Sequence, residues 1–306
     1  MRYAICGGTG FIGQALSRRW LSEGHEVIIV TRSLPDMGRQ FPIQHNQGQL
    51  SYLTWDNMKD SPERFEHLDA LINLAGASLS QRWTERGKKR IMDSRQQTVL
   101  TVAELLHRLK HKPSVVVQAS AMAIYGTSET LTFDETSAAA VQDFPSRVVQ
   151  QWEAAADRMP AERLIKLRIS VVLGNEGGAF PKMLLPYKLG AGGKIGNGKQ
   201  WFSWIHIDDM VGLIDYCIRH DDISGPVNAA SPHAVTNDQF GRTVASVYRR
   251  PHWFPLPAVL LKGALGEMSL ILLKGQRIVP AKALNHGFRF RYPELKAALT
   301  QLKAQK

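Results

Sequence analysis

The sequence predicts an α/β fold: a doubly wound parallel sheet followed by a smaller C-terminal α/β part. Three observations carry this. Apolar runs without polar alternation recur from Tyr3 to Gly174, as strands covered on both faces require. Helical stretches separate those runs. The first run also passes directly into a glycine-rich turn and a helix.

Taken in order, Tyr3-Ala4-Ile5-Cys6 is a short buried strand, and Ala15 to Leu21 has helical spacing that ends near Gly24. Glu26-Val27-Ile28-Ile29-Val30 is a second strand, which completes one βαβ unit. The glycines between strand and helix read either as Gly8-x-Gly10-x-x-Gly13 or as Gly7-x-x-Gly10-x-x-Gly13. A side chain there would hold an anion away from the N–H groups at the helix N-terminus, where the helix carries partial positive charge. Gly7, Gly8, Thr9, Gly10, Phe11, Ile12 and Gly13 are therefore expected to cradle the pyrophosphate of a dinucleotide in a Rossmann fold. Three glycines alone make an ordinary turn; the strand–turn–helix context gives them this meaning.

The end of the second strand bears on which dinucleotide. An acid there accepts from the ribose 2′-hydroxyl of NAD, whereas NADP needs a cation for its 2′-phosphate. This chain has Thr31-Arg32-Ser33 and no acid. A guanidinium grips phosphate bidentately and the two hydroxyls can donate to it, which favours NADP(H). A solvated loop arginine is the alternative reading of Arg32.

Further along, Leu68 to Gly76 reads as a buried strand ending in a small-residue turn, Asn73-Leu74-Ala75-Gly76, through which the chain can pass close to a cofactor. Trp83 to Leu109 is mostly helical and Pro113 ends it. Val115 to Ser120 is another strand, Trp152 to Arg158 belongs to a helix, and Leu164 to Gly174 is one further strand. A glycine-rich loop from Gly190 to Gly198 precedes Trp201 to Asp209 and marks the passage into the smaller part. The expected division is a core over residues 1–235 and a C-terminal region over residues 236–306.

With 306 residues and 44% hydrophobic content, the chain can bury a sizeable core. The net charge of +11 suits an anionic ligand. The cations are scattered and no recognition motif accompanies them, so nucleic acid is not the expected partner. Cys6 and Cys217 provide neither a disulfide framework nor metal spacing and read as buried apolar residues; no metal is expected. Ala258 to Leu273 is strongly apolar, but Lys262 and Glu267 interrupt it short of the roughly 20 residues that a spanning helix needs, so a buried helix is expected, with an interfacial one as the alternative. The first strand begins at residue 2, which leaves no signal peptide, and the expected compartment is cytoplasmic.

The Gly7 to Gly13 turn, Asn73 to Gly76, Ser120 to Gly126 and Trp204 to Asp209 together resemble the extended short-chain dehydrogenase/reductases. Arg82-Trp83-Thr84, Asp93-Ser94-Arg95, Trp152 to Ala156 and Leu184-Leu185-Pro186 narrow the resemblance to the atypical epimerase-family branch, the nucleoside-diphosphate-sugar epimerase-like proteins. The likeness spans nearly the whole chain. It implies an appendage of unassigned role at about residues 250–300, and cofactor contacts from Leu74, Ala75, Arg95, Arg90 and Val172. Read from the residues alone, the cationic run that includes Arg90 is a solvated helix face, and Arg95 stands apart because its helix follows the small-residue turn.

The chain departs from the wider family in its chemistry. Those enzymes use a Tyr as proton donor or acceptor, a Lys four residues later that lowers its pKa, and a substrate-orienting Ser. Where the Tyr-x-x-x-Lys should fall, the sequence reads Asp143-Phe144-Pro145-Ser146-Arg147-Val148-Val149, and the usual serine position is Ala121. Candidate substitutes are Tyr125, in the loop after a strand and close to where a nicotinamide would lie, and Ser120. Each has a packing or capping reading. His206 and Asp208 form a possible acid/base pair, with Asp208 more simply a helix cap; Lys182, Lys188 and Lys194 could meet an anionic substrate. Two readings follow: an NADP(H)-dependent oxidoreductase or epimerase acting on an unidentified, nucleotide-sugar-like small molecule, or a non-catalytic NADP(H)-binding sensor or scaffold.

Overall fold

The computed structural model describes residues 1–34 and 49–305. Its strands are β1 (Arg2–Cys6), β2 (Glu26–Thr31), β3 (Leu50–Thr54), β4 (Ala70–Asn73), β5 (Val115–Ala121), β6 (Thr132–Phe133), β7 (Leu164–Ile169), β8 (Val171–Leu173), β9 (Trp201–Phe202), β10 (Trp204–His206), β11 (Gly225–Ala229), β12 (Val235–Thr236) and β13 (Arg277–Ile278). Seven of them form one parallel sheet in the order β3-β2-β1-β4-β5-β7-β11. The order reverses direction between β1 and β4. Outside the carboxyl ends of strands at such a switch point lies the crevice in which open α/β sheets bind ligands.

The period of two along each strand divides the core into two layers. Tyr3, Ile5, Val27 and Ile29 pack on one face with Leu16 and Trp20 of the Phe11–Ser22 helix and Leu213 and Ile214 of the Ile207–Arg219 helix. Ala4, Cys6, Ile28 and Val30 face the other layer, with Val102 and Leu106 of the Glu85–Arg108 helix and Trp152 of the Phe144–Ala156 helix. Because both faces are covered, the strands are mainly apolar, and the buried polar residues Asn73, Gln118, Ser120 and Arg168 lie on β4, β5 and β7. The C-terminal part is mainly helical: the Leu295–Ala304 helix buries Ala298, Leu299 and Leu302 beside Phe240 and Val244 of the Asn237–Tyr248 helix. No helix among the described residues is long and apolar enough to cross a membrane.

Several elements differ from the sequence expectation. Leu164 to Gly174 is two strands, not one: β7 stays in the main sheet, while β8 leaves it to pair with β10, Val172 opposite Ile205. The break falls at Ser170, whose N–H and hydroxyl both donate to the Ala229 carbonyl, at 3.1 and 2.7 Å. Both halves are largely buried, so the apolar run gives no sign of the change of partner. β3 and β11, the two edge strands of the main sheet, are strands for which the sequence carried no expectation. The apolar stretch from Ala258 is a helix (Ala258–Leu265), a 3-10 turn (Gly266–Ser269) and a last short helix (Leu270–Leu273), with Val259 and Leu260 exposed rather than buried.

Candidate functional site

At the end of β1 the chain turns at Gly7, with φ +79°, and enters the Phe11–Ser22 helix at Gly10. Gly7 N–H donates to Val30 O at 3.0 Å, and Gly10 N–H donates to Gly7 O at 2.9 Å, so the turn is tied to the end of β2 and to itself. A Cβ on Gly13 would stand 2.5 Å from Gly7 O and 2.6 Å from the Gly8 Cα; one on Gly8 would stand 2.9 Å from the Ile29 side chain. A Cβ on Gly7 would lie 3.1 Å from the Cα and N of Ala75. The turn is thus closed against both its own helix and the turn after β4. No side chain caps this helix, which leaves first-turn N–H groups facing the crevice. An anion of pyrophosphate size fits such a cradle.

The other predicted cofactor residues surround it. Thr31 is the last residue of β2, and Arg32 and Ser33 follow it as exposed residues. Asn73 at the end of β4 is fully buried; its amide donates to Gln118 Oε1 at 2.8 Å and its carbonyl oxygen accepts from Ala75 N–H at 3.3 Å, fixing the Leu74–Gly76 turn. Arg95 reaches that turn from the Glu85–Arg108 helix. A Cβ on Gly76 would lie 3.5 Å from the Arg95 Cγ and Cζ, in ordinary van der Waals contact, so the Arg95 side chain lies directly against this turn.

Arg95 is 9% exposed, lies over the Trp152 ring at 4.9 Å and donates to the carbonyls of Ala77 and Ile91, both at 3.1 Å. No carboxylate among the described residues pairs with it. Burial pulls its pKa down to about 10, which still leaves it cationic at neutral pH. A buried cation without a carboxylate is costly, and an anionic ligand would relieve the cost. Arg90, expected beside it, instead extends to Gln81 on the preceding loop and is exposed. Val172 lies behind Phe11: a Cβ on Gly178 would be 3.2 Å from the Phe11 ring and 3.4 Å from Val172 O, and Gly174 and Gly177 crowd the same ring. This second glycine cluster directly follows β8, a strand–glycine signal to which sequence reading attached no role.

Ser120 and Tyr125 lie in one buried polar network rather than on an open wall. Ser120 Oγ donates to Glu153 Oε1 at 2.6 Å, and Arg168 clamps the same carboxylate with two bonds of 2.9 Å. Arg168 also donates to Tyr125 Oη at 2.8 Å, and that hydroxyl donates to Asn228 Oδ1 at 2.7 Å. Tyr125 is fully buried in the 3-10 turn Met122–Tyr125, not in an open loop. Burial pushes its pKa up to about 12, against the opposing pull of the Arg168 charge and the hydrogen bonds. Burial also pushes the Glu153 carboxyl up, but its bonds from Arg168 and Ser120 more than offset this and hold it below the usual carboxylate range. Sequence reading missed the Glu153–Arg168 pair, since only the parallel pairing of β5 with β7 brings Arg168 opposite Ser120.

Of the remaining candidates, only the His206 side chain makes hydrogen bonds, among the described residues, that define a structural role. His206, not Asp208, caps the Ile207–Arg219 helix: its Nδ1 accepts from Asp208 N–H at 3.1 Å, which leaves Nε2–H to donate to Gln301 Oε1 at 2.9 Å. Lys182, Lys188 and Lys194 are exposed. Cys6 and Cys217 are buried, and no group of His, Cys, Asp or Glu among the described residues could hold a metal ion.

Residues 3–230 match the model of the NAD dependent epimerase/dehydratase family. The chain belongs to that family. In this member, residues 256–302 match a second model, a domain of unknown function (DUF1731). The chain is similar to the epimerase family protein YfhF of Bacillus subtilis, 44% identical over all of this chain and 99% of that one. It superposes on the crystal structure of human epimerase family protein SDR39U1 with NADPH at a TM-score of 0.91, with 35% identity and both chains covered in full. A nucleoside-diphosphate sugar epimerase from Corynebacterium glutamicum gives a TM-score of 0.75 at 29% identity, over 99% of this chain and 58% of that one.

Proposed function

We propose that this family member binds NADP(H) in the crevice at the β1/β4 switch point and uses it in an oxidoreductase or epimerase reaction on a small molecule. The observation that carries this reading is the glycine turn closed onto Ala75, with the carboxylate-free cation Arg95 beside it. The similar human protein crystallised with NADPH supports the choice of dinucleotide. The first-turn N–H groups hold the pyrophosphate, and Arg32, with Thr31 and Ser33, takes the 2′-phosphate. Leu74, Ala75 and Val172 line the cofactor, and Arg95 supplies positive charge near the turn after β4. Bound NADP(H) supplies or accepts hydride at the nicotinamide.

Neither Tyr125 nor Ser120 delivers the proton in this reading. Both hydroxyls are buried and engaged, and a phenol held at a pKa of about 12 is a poor acid near neutral pH. They position the β5 end through Glu153 and Arg168. The same observation favours a second reading, a non-catalytic NADP(H)-binding protein. The two separate on deuterium transfer from C4-labelled NADPH across a panel of carbonyl metabolites: transfer to any of them supports catalysis, whereas tight binding with no transfer leaves the sensor reading. For the cofactor itself, Arg32→Asp is expected to weaken NADPH at least tenfold more than NADH, measured by fluorescence titration. Equal weakening of both would remove the 2′-phosphate assignment.

A further inference from the structure

Two stretches of the chain combine exposed apolar side chains with cations and contain no carboxylate. Residues 180–200 carry four lysines and no Asp or Glu; residues 249–266 carry Arg249, Arg250 and Lys262 and again no acid. All seven cations are exposed, and none of them pairs with a carboxylate among the described residues. The structure brings the two stretches together. Trp253 and Phe254 donate their N–H groups to Gly192 O, Trp253 Nε1 donates to Gly190 O at 2.9 Å, and Leu256 N–H donates to Lys194 O.

The two linked stretches expose Leu185, Leu189, Trp253, Phe254, Val259 and Leu260. Leu189 is 74% exposed, Trp253 67% and Val259 77%. Leu185 and Leu189 are one helical turn apart, and the Trp253 and Phe254 rings meet edge-on at 5.7 Å. Each is too exposed to be packing the core, and clustered apolar exposure of this kind marks an interaction surface. Two neighbouring acids are already paired: Asp238 with Arg242 and with His252 of the second stretch, and Glu267 with Lys88.

We propose that this face docks the protein peripherally on an anionic lipid bilayer. Exposed aromatic and aliphatic side chains that share their stretches with exposed, unpaired cations match an interface with apolar depth below and negative headgroups beside it. A second copy of the chain fits poorly, because an isologous contact would set the seven cations against seven more. Nucleic acid would leave Val259 and Leu260 without partners. The proposal stands apart from the cofactor site, since none of these residues touches the glycine turn.

The test is sedimentation of the full chain with vesicles of mixed phosphatidylglycerol and phosphatidylcholine, against vesicles of pure phosphatidylcholine. Binding to the anionic vesicles alone, weakening with added salt, is expected. The Trp253→Ser/Phe254→Ser double variant should lose at least about tenfold in partitioning, and Lys188→Glu or Lys262→Glu about fivefold or more each. Lys110→Glu, which changes the net charge equally at another exposed position, should lose less than about twofold. NADPH titration of each variant checks that it is folded. Equal binding to both vesicle types, no binding, or equal loss in the Lys110 control would overturn the proposal. So would a dimer that the Trp253/Phe254 variant dissolves, or capture of polyglutamate without vesicle binding, which would assign the face to an acidic protein.

Discussion

Replacing Tyr125 by Phe separates a structural hydroxyl from a catalytic one. The substitution keeps the ring, which stacks on Phe133 at 5.5 Å and lies under the Arg168 guanidinium at 4.9 Å, and removes only the oxygen. Two buried hydrogen bonds go with it: the 2.7 Å bond to Asn228, and the 2.8 Å bond from Arg168. A neutral bond contributes about 1 kcal/mol and one to a charged group about 1.5–3 kcal/mol. Arg168 keeps both bonds to Glu153, and Asn228 keeps its bond to Val279 O, so neither partner is stripped entirely. A loss of about 3 kcal/mol follows. At about 2.1 cal/mol/K per residue, the 306-residue chain unfolds with an entropy of about 0.64 kcal/mol/K, so Tm should fall by about 5 °C. NADPH affinity should stay unchanged.

The pH dependence has a definite sign. Folding raises the Tyr125 pKa from 10.0 to about 12, so its contribution is fully present below pH 10 and is lost as pH rises toward 12. Calorimetric scans across that window should show the stability gap between the native protein and Tyr125→Phe shrinking as pH increases. Tyr3 and Tyr187 are raised to about 12 as well, so only the difference between the two proteins isolates Tyr125. An unchanged Tm together with the loss of NADPH-dependent turnover would refute the structural assignment and restore Tyr125 as a proton donor.

Two further substitutions probe the cofactor half. Gly13→Ala places a Cβ against Gly7 O and the Gly8 Cα, backbone atoms that cannot swing aside; NADPH affinity should fall at least tenfold and Tm by about 2–5 °C, from an overpacking cost of about 1–3 kcal/mol. Native affinity at native Tm in that variant would show that the turn opens without cost. Arg95→Leu removes a buried cation that has no carboxylate partner, so NADPH affinity should drop about tenfold or more while Tm moves by no more than about 2 °C. A large drop in Tm with native NADPH affinity would make Arg95 a structural residue instead.

The cofactor half was legible because its constraints act on residue type over short sequence distances. Gly13 is a glycine because a Cβ would strike Gly7 and Gly8 within the same turn, and Gly7 because its φ of +79° is one that side chains rarely adopt; both exclusions are local. The Tyr125 environment was not legible for the opposite reason. Its partners Arg168 and Asn228 lie 43 and 103 residues away in sequence, and only the β5-β7-β11 order brings them together. The cap of the Ile207–Arg219 helix failed at closer range. Both His206 and Asp208 offer an acceptor near that terminus, and where β10 ends decides which backbone N–H each can reach.

The net charge of +11 follows the same division. Read from composition, it pointed to an anionic ligand, but the cofactor crevice uses little of it: Arg95 is buried beside the turn after β4, and Arg32 stands at the end of β2. A buried cation is weakly screened and acts on a partner at fixed distance, whereas exposed lysines act collectively over roughly 10 Å and fade with salt. The seven cations of residues 180–200 and 249–266 are of the second kind, exposed in the same stretches as exposed apolar side chains. One total charge therefore conceals two unlike electrostatic tasks. In the readings proposed above, one would hold a dinucleotide at a built site, and the other would orient a whole face of the molecule toward a negative surface.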